Sequence, residues 1–354
     1  MGKKKFFDFV IGNPPYQESM DSTSDKSVYN ILMDASYEVG QKSEFITPAR
    51  FLFNAGKTPK PWNKKMLNDI HLKVLEYEKN SAKVFANTDI KGGVAITYYD
   101  RESDYGAIVH FIPDDTLRGI LNKVRSRKEQ TLNENVNGTE YYKLSPVLYE
   151  EHPEILTTKI MWKNKEVPLV SKGHEYDLTS NILDKDPALF SFKKSDDDSY
   201  CRVYGRKGGQ RVFMYIKRKY LKDSPGLHSY KVILPESNNS GEFGETLVNP
   251  FVGDPDVATT QTFITIGFFD TINEAKAVKK YISGKFARAL LGTLKITQHN
   301  KQDVWKNVPV QDFSKCSNID WSKSIHEIDL QLYKKYGLSS DEIDFIESHV
   351  KEMK

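Results

Sequence analysis

Phe6-Phe7-Asp8-Phe9-Val10-Ile11-Gly12-Asn13-Pro14-Pro15-Tyr16 is the stretch that decides how this chain is read. Its first seven residues are almost continuously apolar, as in a parallel strand covered on both faces. The tetrapeptide Asn13-Pro14-Pro15-Tyr16 follows directly, and ligands of open α/β sheets bind beyond the C-terminal ends of the strands. Consecutive prolines fix φ and remove two amide donors. The carbonyls there lose their usual local partners. Asn13 adds an acceptor oxygen, and Tyr16 adds a flat face.

That combination suits a planar substrate carrying an amino group. The amine of adenine is a poor nucleophile, because its lone pair is delocalised into the ring. The Asn13 side-chain oxygen and the Pro14 carbonyl would take its two hydrogens, which orients and enriches the lone pair. Tyr16 would stack on the base, which must first be rotated out of the duplex. The rate gain would come from positioning and electrostatics rather than covalent catalysis. A rigid turn at a strand end is the plainer reading. The preceding strand, the Asn and the amphipathic stretch that follows favour chemistry.

Outward from this motif, residues 27–39 place Val28, Ile31, Leu32, Ala35 and Val39 at helical spacing. Strands are expected near 45–46, at 72–77 and 93–99, and possible again at 107–112, with helices at 64–69 and 115–127. This order suggests half of a mostly parallel sheet. Residues 129–139 are polar, contain Asn133, Asn135, Asn137 and Gly138, and read as a linker between domains at 1–128 and 140–354. The second region has short β-like runs at 211–217, 230–234 and 262–267. A long helical stretch follows at 270–294, with Ala275, Val278, Ile282, Phe286, Ala289 and Leu290 on one face. Helices at 324–336 and 341–353 close the chain, and Ser339 and Glu342 have capping-box spacing. The expected fold class is α/β: a partial Rossmann-like sheet, then a mixed α+β domain with C-terminal helices.

The 354 residues suggest about two domains. A 38% hydrophobic and 28% charged composition excludes wholesale disorder. No run reaches the ~18 apolar residues of a membrane helix, and no signal peptide is evident. Cys201 and Cys316 are too few for a disulfide framework or a four-cysteine zinc site, and the eight histidines show no ligand spacing. No metal is expected, and a reducing cytoplasm is. The net charge of +3 decides nothing, because binding depends on where charges sit. Residues 201–222 carry Arg202, Arg206, Lys207, Arg211, Lys217, Arg218, Lys219 and Lys222 with no acidic residue. Tyr204, Phe213, Tyr215 and Tyr220 are interleaved. Such a stretch suits phosphate contacts and guanine-reading arginines, and its plainer reading is a solvated basic hairpin.

Residues 7–17 resemble motif IV of the amino-group methyltransferases that use S-adenosylmethionine, most closely the adenine-N6 DNA methylases of bacterial restriction-modification systems. The resemblance continues through 43–51 and 83–94, and more loosely through 231–235, 238–241, 285–288, 305–309 and 320–350, which are similar to target-recognition modules and methylase chain ends. It implies catalytic roles for Asn13, Pro14, Pro15 and Tyr16. It also implies Phe85 on the other face of the flipped base, and Lys91 near the same cleft, able to contact phosphate. The implied partner is double-stranded DNA, and the implied location is the bacterial cytoplasm, at the nucleoid.

One part of the family pattern is missing. These methylases hold the cofactor on an Asp-x-x-x-Gly-x-Gly turn. Nothing before Asn13 supplies it, and Gly92-Gly93, residues 205–209, residues 241–244 and Asp254-Pro255-Asp256 do not match. The chain therefore reads as the second half of a methylase, with the S-adenosylmethionine site on a missing segment or on a companion methylase half or restriction subunit. Two other readings stand beside this one. A protein-glutamine methyltransferase also uses Asn-Pro-Pro-Tyr, but needs no large basic domain after it. A non-catalytic DNA-binding specificity subunit would keep the methylase remnant only for docking.

Overall fold

The computed structural model describes residues 6–18, 26–186, 188–193, 199–237, 240–295 and 297–353. The chain divides into two compact units, Met1–Asp114 and Asp115–Lys354.

The first unit holds β1 (Phe7–Gly12), β2 (Gln17–Glu18), β3 (Lys26–Ser27), α1 (Tyr29–Val39), β4 (Gly40–Pro48), α2 (Lys60–Asn68), β5 (Leu72–Glu78) and β6 (Val94–Asp100). Its main sheet has the order β1-β4-β6-β5. β1 runs parallel to β4, and β6 runs antiparallel to both β4 and β5. Three strands thus point one way, with one reversed strand between them. The core packs helices on this sheet through Tyr29, Met33, Tyr37, Phe45, Phe51, Trp62 and Met66. Tyr37 stacks on Tyr99 with centroids 4.1 Å apart.

Four expectations are corrected here. β1 is an edge strand rather than one covered on both faces, and Phe7, Phe9 and Ile11 are 57%, 46% and 72% exposed. α1 does not bury the aliphatic face that its spacing suggests. It buries Tyr29, Asn30, Met33 and Tyr37, leaving Ile31 and Leu32 exposed, because the larger aromatic face packs into the core. Residues 107–112 form no strand, since Val109 takes a left-handed φ of 57° that breaks an extended run. Residues 129–139 are no free linker: Leu132 and Val136 are buried, and Val136–Asn137 pairs with a later strand.

The second unit begins with α3 (Asp115–Ser126), which packs on the C-terminal helix; Lys123 Nζ lies 2.6 Å from the Glu342 carboxylate. Next come β7 (Val136–Asn137), α4 (Pro146–Glu151), the hairpin β8 (Lys159–Trp162) and β9 (Lys165–Pro168), and α5 (Ile182–Lys185). Then follow β10 (Tyr200–Lys207), β11 (Gln210–Lys217), α6 (Pro225–His228), β12 (Tyr230–Pro235), β13 (Phe251–Gly253), β14 (Val257–Thr259) and β15 (Phe263–Phe269). The chain closes with α7 (Ile272–Ser283), α8 (Lys285–Gly292), α9 (Ile325–Tyr336) and α10 (Ser340–His349). The strands form sheets ordered β11-β10-β14 and β13-β12-β15-β7. The molecule is a mixed α/β fold of several sheets and helices.

The expected long helix at 270–294 is two helices broken at Gly284. A Cβ on Gly284 would lie 2.5 Å from Asp329 Oδ1. The Asp329 carboxylate accepts from the amides of Lys285 (2.8 Å) and Phe286 (3.1 Å), so it caps α8 from outside the helix. Burial pushes the Asp329 carboxyl up to about 6. An acid whose folded pKa is raised binds more protons folded than unfolded. Its stabilising contribution is complete below the unfolded value, about 4, and is lost as pH rises through about 6. Urea denaturation of the wild type and Asp329→Asn at pH 4 to 7 is expected to show this loss in the wild type and not in the variant.

Among the described residues, no helix is long and apolar enough to cross a membrane, and no group of His, Cys, Asp and Glu could hold a metal. Both cysteines are free, Cys201 buried and Cys316 exposed. The acidic run at 196–198 and part of the 238–241 loop lie outside the described residues.

Candidate active site

β1 delivers Asn13 to the C-terminal end of the parallel pair β1–β4. Asn13 and Pro15 are exposed, Pro14 is buried and Tyr16 is half-buried. The chain then doubles back: Gln17 pairs with Ser27 and Glu18 with Lys26. The Val28 amide donates to the Tyr16 carbonyl at 3.4 Å. This return brings Ser27 and Tyr29 beside Tyr16.

A cleft of about 450 Å³ opens there, lined by Tyr16, Ser27, Tyr29, Pro48, Arg50, Gly56, Lys57, Asp89, Ile90 and Lys91. It joins the three segments that carry the sequence resemblance: the motif after β1, the end of β4, and the loop before β6. The last two meet because Pro48 pairs with Val94 and the Ala49 amide donates to the Gly93 carbonyl at 2.9 Å.

The cleft is polar and incompletely satisfied. The Tyr16 hydroxyl and Ser27 Oγ are buried with no hydrogen-bond partner among the described residues. Burial raises the Tyr16 phenol above its ordinary value. It also raises Tyr29, to about 12, with a Thr58 hydrogen bond and the Arg50 charge pulling the other way. Both phenols stay neutral at physiological pH.

Tyr16 and Lys91 therefore share a wall of one cleft, and Asn13 and Pro14 precede Tyr16 on the same turn. Phe85 is half-buried after a 3-10 turn, its amide bonded to the Ser81 carbonyl at 2.8 Å, and it does not line the cleft. Sequence reasoning missed Ser27, Tyr29, Arg50, Lys57 and Asp89. Arg50 and Asp89 lie inside the resembling segments; Ser27 and Tyr29 carry no local signal and arrive only through the β2–β3 return.

The glycine clusters are accounted for by packing. A Cβ on Gly93 would lie 2.3 Å from the Glu78 carbonyl, one on Gly241 2.4 Å from the Thr297 backbone, and one on Gly244 2.2 Å from the His349 carbonyl. Gly208 and Gly209 turn the β10–β11 hairpin with φ of 55° and 80°.

That hairpin carries the basic run. One face presents Arg202 opposite Tyr215, Tyr204 opposite Phe213, and Arg206 opposite Arg211. Neighbouring acids and carbonyls occupy much of the charge. Arg202 pairs with Asp254 at 2.8 Å, Arg218 with Asp256, and Lys219 with Glu151 at 2.6 Å. Lys207 Nζ donates to the Leu183 carbonyl at 2.7 Å. Arg211 lies over the Phe263 ring and Lys217 over Tyr220. Arg206 is exposed at the hairpin tip.

Residues 1–85 match the family model of the Eco57I restriction-modification methylase. The matched stretch contains Asn13 to Tyr16, β4, Arg50 and Phe85, and ends before Lys91. Among solved structures, the type IIL restriction-modification enzyme MmeI in complex with DNA is similar at 10% identity and a TM-score of 0.33, over 96% of this chain and 56% of that one. The type IIG restriction endonuclease BpuSI is similar at 11% identity and a TM-score of 0.29, over 92% of this chain and 48% of that one. This chain thus spans about half the length of these two structures. No curated protein matches it.

Proposed function

We propose that this chain is the catalytic half and target-recognition part of an adenine-N6 DNA methyltransferase of a restriction-modification system. The observation that carries the reading is the Asn13-Pro14-Pro15-Tyr16 turn at the C-terminal end of β1, with Tyr16 opening into a cleft whose polar atoms await partners. The match of residues 1–85 to a methylase family supports it.

The roles follow from the chemistry of the turn. The Asn13 side-chain oxygen and the Pro14 carbonyl accept the two amino hydrogens of a base stacked on Tyr16. That fixes the ring and raises electron density on the exocyclic nitrogen. Pro15 stiffens the turn that presents both acceptors; Phe85, which the resemblance implies for the second face of the base, lies outside the lining of this cleft. The second unit supplies duplex contacts from Arg202, Arg206, Lys207, Arg211 and Lys217 of the β10–β11 hairpin and from Arg218 and Lys219 in the turn after it. Arg206→Glu with Lys207→Glu is expected to weaken binding to all duplexes at least tenfold near 0.1 M salt. The log–log salt slope should shrink by about two. Unchanged filter-binding isotherms would move the DNA surface elsewhere.

Methylases of such systems take an electrophilic methyl group from S-adenosylmethionine. Among the described residues of the first unit, no strand ends in a Gly-x-Gly turn, and Gly56, Gly92 and Gly93 are packed on Arg50 and Glu78. These residues do not form a cradle for that cofactor, which supports our reading that its site lies on a further segment or a companion polypeptide. The β1 edge is the place for such a half to dock: it offers unpaired strand backbone flanked by exposed Phe7, Phe9 and Ile11. Ile11→Lys is expected to abolish capture of the companion in sedimentation experiments and to reduce self-association of the isolated chain. A monodisperse wild-type chain at high concentration, unaffected by Ile11→Lys, would overturn the docking edge.

The test of function is transfer of labelled methyl from S-adenosylmethionine to mixed-sequence duplex DNA, by this chain alone and with the companion half. Activity in the mixture supports the split methylase. The lack of a cofactor cradle among the described residues of the first unit favours a second reading, a non-catalytic DNA-binding subunit. Duplex binding without transfer in either arm would establish that reading instead.

A further inference from the structure

We propose that Arg50, with Lys91, grips the phosphate of the nucleotide whose base stacks on Tyr16; this rests on the reading of the cleft as a base pocket. Three observations lead to this proposal, the first two on Arg50 and outside the Asn13–Tyr16 motif, the third on the depth of the cleft.

The arginine is held in place. It follows β4, and its aliphatic stem is flanked by two glycines in left-handed conformation, Gly56 (φ 94°) and Gly92 (φ 89°). A Cβ on Gly92 would lie 2.5 Å from Arg50 Cγ, and one on Gly56 3.1 Å from Arg50 Cβ. Two separate loops therefore close on one side chain. Holding the stem removes rotamer freedom before any ligand arrives, which makes a subsequent contact stronger.

Its charge has no carboxylate partner among the described residues. Arg50 and Lys91 are exposed on the cleft wall, and neither forms an ion pair with a described residue. Asp89 shares that wall and pairs with neither. The second unit behaves differently, since Arg202, Arg218 and Lys219 each have a carboxylate. A fixed guanidinium sharing a cleft wall with a lysine, with no carboxylate partner among the described residues, is suited to a tetrahedral oxyanion taken bidentately.

The depth of the cleft expects a polar ligand. Ser27 is 6% exposed, and neither its Oγ nor the Tyr16 hydroxyl has a hydrogen-bond partner among the described residues. Buried polar atoms normally find partners, so these two are best explained by a molecule that enters between them. A nucleotide meets both demands, with base and sugar in the neutral depth and phosphate at the cationic rim.

The test is titration of the full chain with deoxyadenosine, deoxyadenosine 5′-monophosphate, deoxyadenosine 3′-monophosphate and inorganic phosphate, by calorimetry or ligand-observed NMR. One monophosphate is expected to bind at least about tenfold tighter than the nucleoside, as for a charge-assisted contact. Arg50→Met keeps the stem between the two glycines and is expected to erase that difference, so that nucleotide and nucleoside bind this variant equally. Arg50→Lys should restore part of it. Equal binding of nucleoside and nucleotides, or an advantage that survives Arg50→Met, overturns the phosphate grip while the base pocket stands. Arg50-dependent binding of inorganic phosphate without deoxyadenosine binding would keep the anion site and overturn the base pocket. Binding of none of the four overturns both.

Discussion

Asn13→Ala is expected to lower methyl transfer to duplex DNA by about 10²–10³-fold while leaving duplex affinity unchanged. Alanine removes the side-chain acceptor and keeps the Pro14 carbonyl, so only one amino hydrogen remains held. The base can still stack on Tyr16, but its nitrogen is no longer oriented. Because Asn13 is exposed at the end of β1, truncation should change stability by no more than about 0.5 kcal/mol. The measurement is labelled-methyl incorporation in the presence of the cofactor half, with a gel-shift titration in parallel. Transfer at the wild-type rate would remove Asn13 from the mechanism. Loss of DNA binding together with activity would mean that Asn13 organises the surface rather than the amine.

Arg288→Met is expected to destabilise the second unit by about 3–5 kcal/mol, the cost of breaking a buried charged network. Arg288 is 2% exposed on α8. Its guanidinium donates to the carbonyls of Ser283 (3.1 Å), Gly244 (3.4 Å), Glu245 (3.2 Å) and Lys351. It therefore ties the end of α7, the loop before β13 and the C-terminal strap to one side chain. Burial pulls the guanidinium down to about 10, still protonated at neutral pH. Methionine fills similar volume but leaves four carbonyls without this donor, and buried unpaired acceptors are costly. Urea denaturation should show the transition of this unit moving to lower concentration. A shift worth under about 1 kcal/mol would mean that water replaces the guanidinium. Residues 285–288 resemble a specificity-module segment in sequence, and the structure places Arg288 in the interior.

The legible parts of the chain were those whose signal is local. The strand at 72–78 and the helices after Ser324 and Ser339 carry their signatures within a few residues. Both helices start with complete capping boxes, a motif closed over four consecutive positions. The strand before Asn13 and the turn after it were equally readable, because a run of apolar residues ending in Asn-Pro-Pro-Tyr admits few backbones. The expected helical face of α1 failed for a physical reason: periodicity reports that a face is apolar, not which neighbour covers it. Ile31 and Leu32 satisfy the period, yet Tyr29, Met33 and Tyr37 meet the core. The polar stretch 129–139 failed similarly, since two buried residues, Leu132 and Val136, suffice to draw it into a sheet.

By itself, then, the sequence determined the place of the Asn13–Tyr16 turn after its strand, the α/β class, and the positions of elements whose start and stop signals are short-range. Tertiary structure decided which strand is an edge, which charges are spent on neighbours, and which residues meet at the cleft. Arg50, Gly56, Gly92 and Ser27 are separated by up to 65 positions, and no periodicity links them. Their meeting depends on β4–β6 pairing and on the β2–β3 return, contacts that exist only once the sheet has formed. Likewise, the basic run is uniformly cationic in sequence, yet Asp254, Asp256 and Glu151 reach it from other elements and leave Arg206 at the exposed tip. Coulomb interactions fall off with distance in space, not along the chain, so charge availability was settled by the fold.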